Sequence, residues 1–118
     1  MFSLLLTIHN DIYGHEVGDE VLKIISKDIK NSIRSLDEVY RIGGDEILII
    51  LDRCDYLSAR GIAEKIKKNI SKLIIKHVGT VTVSLGVGTY PEHGGSANEI
   101  IKYADLAMLT AKKKGKIK

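Results

Sequence analysis

At 118 residues, with 44% hydrophobic and 28% charged side chains, the chain is long enough for one domain with its own core and too ordinary for a disordered or fibrous protein. The net charge of +3 gathers at Lys112, Lys113, Lys114, Lys116 and Lys118, and nothing in the overall balance calls for nucleic acid as a partner. No apolar run can span a bilayer, Met1–Ile8 is too short for a signal peptide, and the single Cys54 excludes an internal disulfide, which fits a cytoplasmic setting.

The elements follow in chain order. Ser3–Thr7 is a short apolar run and reads as a buried strand. Asn10–Asp19 is polar and carries glycines, so it reads as a loop or short helical turn. From Asp19 to Ile33, Val21, Leu22, Ile25, Ile29 and Ile33 recur at three- and four-residue steps, which predicts an amphipathic helix. Two strands follow, near Glu38–Ile42 and Glu46–Leu51, then a second helix near Tyr56–Leu73 with Ile62, Ile66 and Ile70 on one stripe. Thr80–Val87 alternates: Val81, Val83, Leu85 and Val87 take one face, and Thr80, Thr82, Ser84 and Gly86 the other. Tyr90–Gly95 holds the only proline and reads as a loop. Ser96 and Glu99 have capping-box spacing and open a last helix that ends in lysines. The order strand, helix, strand, strand, helix, strand, helix predicts an α+β, ferredoxin-like split βαβ domain over 1–118, with an antiparallel central hairpin and the helices packed on one face of the sheet. That fold hosts many functions and settles none.

Chemistry concentrates at Gly43-Gly44-Asp45-Glu46, a polar knot between two strand-like runs. Glycines there open backbone angles closed to other residues and leave room for a bulky group against the main chain. Two adjacent carboxylates at a strand end repel each other unless a cation joins them, which suits a divalent metal. A solvated hairpin is the plainer reading of the same turn. His9, His15, His77 and His93 show no ligand spacing and read as structural or exposed. Arg34 and Asp37 have the spacing of a local ion pair at a helix end.

Four segments together resemble the GGDEF domains of diguanylate cyclases. They are Gly43-Gly44-Asp45-Glu46, Asn10-Asp11-Ile12-Tyr13-Gly14-His15 with Gly18-Asp19, Ala104-Asp105-Leu106-Ala107 through Ala111-Lys112 to Lys116, and Arg34-Ser35-Leu36-Asp37 nine residues before Gly43. The likeness implies a domain that joins two GTP into cyclic di-GMP and pyrophosphate, as a homodimer, with Mg2+ or Mn2+. It implies that Asp45 and Glu46 bind the metal and serve catalysis, while Gly43 and Gly44 let the nucleotide approach. Asn10 and Asp19 would read guanine, and Lys112 and Lys116 would neutralise the triphosphate. Arg34 and Asp37 would form a product-inhibition site that docks cyclic di-GMP. Local alternatives stay open: Asp19 as a helix N-cap, Asn10 as a turn former.

The departures from the pattern carry their own expectation. The family's first strand ends in an acid that supplies a metal ligand, yet no acidic residue precedes Asp11 here. Counted back without a gap, Phe2 stands where that acid should be; alternatively, and preferred here, Phe2–Thr7 is that strand in full with the acid-bearing loop deleted, and the family's usual upstream helix has no counterpart in these residues. Ile47 stands for the usual Phe, Leu109 for Tyr and Lys116 for Arg, the last keeping charge but losing fork geometry. The expectation is a cyclase-type domain with reduced or no turnover. The alternative is a non-catalytic receptor for cyclic di-GMP or GTP acting through Arg34 and Asp37.

Overall fold

The computed structural model describes residues 2–9, 19–42, 46–75 and 83–114, with side chains described at Ser3, 20–42, 46–75 and 83–110. Seven elements run in the expected order: β1 (Phe2–His9), α1 (Asp19–Ser32), β2 (Glu38–Arg41), β3 (Glu46–Asp52), α2 (Tyr56–Ser71), β4 (Val83–Tyr90) and α3 (Ala97–Lys114). The strands form one sheet in the order β2-β3-β1-β4, with every neighbour antiparallel. β2 and β3 make the central hairpin, and β1 inserts between that hairpin's inner strand and β4.

The periodicities explain the layers. Val21, Leu22, Ile25 and Ile29 of α1 and Ala59, Ala63, Ile66 and Ile70 of α2 are buried, one stripe per helix. They meet Ile47, Ile49 and Leu51 of β3 and Val83, Leu85 and Val87 of β4, which alternate onto the same face of the sheet. Each such Ile or Leu taken fully from water contributes about 1.5–3 kcal/mol before chain entropy is charged against it. α2 starts at Asp55, whose carboxylate accepts the Ser58 amide at 2.8 Å.

α3 corrects the expectation of helices on a single face. It packs on the opposite side of the sheet, over the positions of β4 that the alternation assigns to the outer face. Gly86 and Gly88 are both buried there. A Cβ on Gly86 would collide with the Ala104 carbonyl and the Met108 amide, and one on Gly88 would lie 2.7 Å from the Ile100 carbonyl. The missing side chains bring the α3 backbone onto the strand. Ala104 and Met108 are buried beneath α3, with Leu48 of β3 and Ile101 packed against them. The Ser96–Glu99 cap forms as read: the Glu99 amide donates to Ser96 Oγ, and Glu99 Oε1 accepts from Ser96 Oγ and the Gly95 amide, all at 3.3 Å.

Candidate functional site

The polar turn closes the β2–β3 hairpin. The Ile42 amide donates to the Glu46 carbonyl at 3.0 Å, bracketing Gly43, Gly44 and Asp45, which lie outside the described residues. Glu46 is half-buried at the start of β3 and opposes Ile8 of β1, which on its other side opposes Ser84 of β4. Glu46 therefore stands beside the far end of β1, the strand end where the family resemblance calls for an acid. The residues there are Ile8 and His9.

Asn10 and Lys116 fall outside the described residues; Asp19 is the first residue of α1 and Lys112 lies in the last turn of α3, their side chains undescribed. The described side chains thus bring only Glu46 to this end of the sheet from the expected nucleotide and metal set. Among the described residues no group of three or more His, Cys, Asp or Glu side chains gathers to hold a metal ion. A divalent cation prefers several oxygen ligands, and one half-buried carboxylate opposite an isoleucine does not supply them. Glu46 is one oxygen donor of the kind such an ion takes, and the other expected ligand, Asp45, lies outside the described residues.

The Arg34–Asp37 pair is fully described, and it is more than a surface contact. The turn between α1 and β2 is closed by the Asp37 amide donating to the Arg34 carbonyl at 3.0 Å. Asp37 Oδ2 accepts the Arg34 amide and Nε, both at 2.9 Å, and Oδ1 accepts Arg34 Nη2 at 2.8 Å. Oδ1 also accepts the Asp52 amide at 3.1 Å, and Arg34 Nη2 donates to the Asp52 carbonyl at 2.5 Å. The α1–β2 turn is therefore tied to the last residue of β3. The Asp37 side chain is 0% exposed, while that of Arg34 is 43% exposed. Burial alone would push the Asp37 carboxyl up. The hydrogen bonds from the Arg34 side chain and from the Arg34 and Asp52 amides outweigh it and hold the group below the usual carboxylate range. The Asp37 hydrogen bond in turn raises the Arg34 guanidinium further.

Sequence reasoning finds Arg34 and Asp37 but misses Asp52, whose contribution is main chain and carries no side-chain signal. It also misses Asp28 of α1: Oδ2 is buried without a hydrogen-bond partner among the described residues, and burial pushes the carboxyl up. His93 is structural, as expected. Its Nδ1 accepts the Thr89 amide at 3.0 Å, and its ring stacks on Tyr103 with centroids 3.9 Å apart. Among the described residues no helix is long and apolar enough to cross a membrane.

Residues 6–118 match the family model described as diguanylate cyclase, GGDEF domain. Diguanylate cyclase A of Treponema denticola is 36% identical over 110 residues, covering 91% of this chain and 30% of that protein. The bifunctional diguanylate cyclase/cyclic di-GMP phosphodiesterase MucR of Pseudomonas aeruginosa is 35% identical over 109 residues, covering 91% of this chain and 16% of that protein. The chain thus spans less than a third of the length of either relative. Among solved structures, the GGDEF domain of YfiN (TpbB) from Pseudomonas aeruginosa superposes with a TM-score of 0.85 at 29% identity, covering 99% of this chain and 80% of that one. The GGDEF domain of DgcB from Caulobacter crescentus, solved in complex with c-di-GMP, shares the fold with a TM-score of 0.81 at 24% identity, covering 98% of this chain and 75% of that one.

Proposed function

The chain belongs to the GGDEF domain family of diguanylate cyclases, and from that premise we propose that it is a cyclase-type domain of cyclic di-GMP signalling with reduced or no turnover of GTP. Domains of this family are metal-dependent. In the reading proposed here, Asp45 and Glu46 are what remains of the metal and catalytic set, with Mg2+ or Mn2+ as the ion. Gly43, Gly44, Asn10, Asp19, Lys112 and Lys116 remain for GTP, in a homodimer and in the cytoplasm.

The observation that supports reduced turnover is the row Glu46–Ile8–Ser84 across the sheet end. The acid expected at the end of the first strand is absent from β1, where Ile8 holds the register position opposite Glu46. Losing one preorganised charge near a reacting phosphate typically raises a barrier by about 3 kcal/mol, or about a hundredfold in rate. The test is metal-dependent conversion of GTP by the purified chain. A rate at least about a hundredfold below that of an intact family member fits the proposal; an equal rate contradicts it.

A receptor reading is favoured by a separate observation, the half-exposed Arg34 guanidinium held rigidly by a buried carboxylate. Arginine suits phosphate and guanine acceptors because its fork is planar and permanently charged. In this reading the chain binds cyclic di-GMP at Arg34 and signals through a partner. Calorimetry on the wild type and Arg34→Ala tests it: binding lost in the variant supports a receptor, and no binding by the wild type ends it.

A further inference from the structure

We infer that β2 is a self-association edge: two copies of the chain pair antiparallel through it, about a two-fold axis at Val39, and one sheet continues across both. Among the described residues β2 is the outer strand of the sheet, paired with β3 alone. Such an edge is a template for another strand unless a lysine, a proline or a bulge blunts it. The run Glu38-Val39-Tyr40-Arg41-Ile42 holds no lysine, proline or glycine. It exposes large apolar side chains instead, Tyr40 and Ile42 each at 46%.

The register follows from the backbone. Ile42 donates its amide to the Glu46 carbonyl, so the positions hydrogen-bonded to β3 are Ile42, Tyr40 and Glu38, alternating along the strand. Val39, between them, turns its amide and carbonyl to the open edge. A symmetric antiparallel pairing centres on a residue of this outward set, and Val39 is the one that keeps all of β2 paired. Centring on Asp37 or Arg41 runs the strand against the partner's turn, and the Asp37 amide is already donated to the Arg34 carbonyl. With Val39 opposite the partner's Val39, Glu38 falls opposite the partner's Tyr40, and Tyr40 opposite the partner's Glu38. Within one chain the Tyr40 hydroxyl donates to the Glu38 carboxylate. Each acid thus lies between two phenols and not opposite another acid, which is the favourable cross-strand arrangement. The pairing does not rest on the proposed function. Its consequence for that function is a resting form: antiparallel strands put the two hairpin turns at opposite ends of the joint sheet, whereas joining two nucleotides requires them to meet.

Sedimentation velocity over a concentration series tests the pairing. The wild type is expected to move from the monomer mass towards twice that mass as concentration rises. Val39→Pro removes an amide that faces away from β3, so it is expected to keep the fold and abolish the shift. Circular dichroism checks folding, and Tyr40→Lys, a charge on the edge, takes the same measurement if Val39→Pro does not fold. The register is read by mixing Glu38→Cys with Tyr40→Cys in a thiol–disulfide redox buffer, Cys54 being buried. Opposite Cα atoms of a non-hydrogen-bonded pair lie about 4.5 Å apart, within disulfide reach, and diagonal ones about 7–8 Å apart, beyond it. The mixed disulfide is therefore expected in excess over the two symmetric ones. A monomer at every concentration, a dimer indifferent to the edge variants, or mixed and symmetric disulfides in statistical proportion overturns the inference.

Discussion

Asp37 and Asp28 show how two carboxylates of one domain acquire opposite meanings. Asp37 is buried with every acceptor direction filled, so the folded state favours its ionised form. A carboxyl held below its ordinary value stabilises the fold above that value, about 3.9, and the contribution is lost as pH falls through the lower folded value. Asp37→Asn is expected to destabilise the chain by about 2 kcal/mol at neutral pH, water screening the half-exposed Arg34. Urea unfolding at a series of pH values should show the gap between wild type and variant closing under acid. Asp28 is the reverse case. Its buried Oδ2 has no hydrogen-bond partner among the described residues and burial pushes the carboxyl up, so the ionised form penalises the fold. Asp28→Ala is expected to gain about 1 kcal/mol at neutral pH, from relieved desolvation and better helix propensity, and the gain should shrink as pH falls and the wild-type carboxyl protonates.

Among the elements, β4 and α3 carry the clearest structural prediction. Gly86 is buried where the alternation indicates an outer face, because a helix backbone rests on it. Gly86→Ala is expected to cost about 3 kcal/mol or more, since the new methyl meets main-chain atoms that cannot rotate away, and thermal unfolding measures it. A near-neutral substitution would mean that α3 does not sit so close. Period-two alternation tells which residues share a side of a strand and says nothing of what covers that side, so the strands and both core-facing helices were legible in the sequence while the second layer was not. Ser96 and Glu99 announced their helix start by side-chain type. Asp55 caps α2 equally well, but its signal was lost among the neighbouring polar residues.

At the scale of the whole molecule, topology brings distant segments together in two places of unequal clarity. The Arg34–Asp37 spacing was legible because it is local, whereas the Asp52 amide and carbonyl that complete it come from the end of β3 and are invisible in residue types. The hairpin end was legible through Gly43-Gly44-Asp45-Glu46, and β1 then delivers Ile8 opposite Glu46. In the reading proposed above, a first strand that brings no carboxylate to the turn leaves this GGDEF fold with reduced or no turnover of GTP. The most direct measurement is the rate at which the purified chain converts GTP to cyclic di-GMP with Mg2+ or Mn2+, across a range of chain concentrations. The account predicts product at or near background throughout, and formation at the rate of an intact diguanylate cyclase would contradict it.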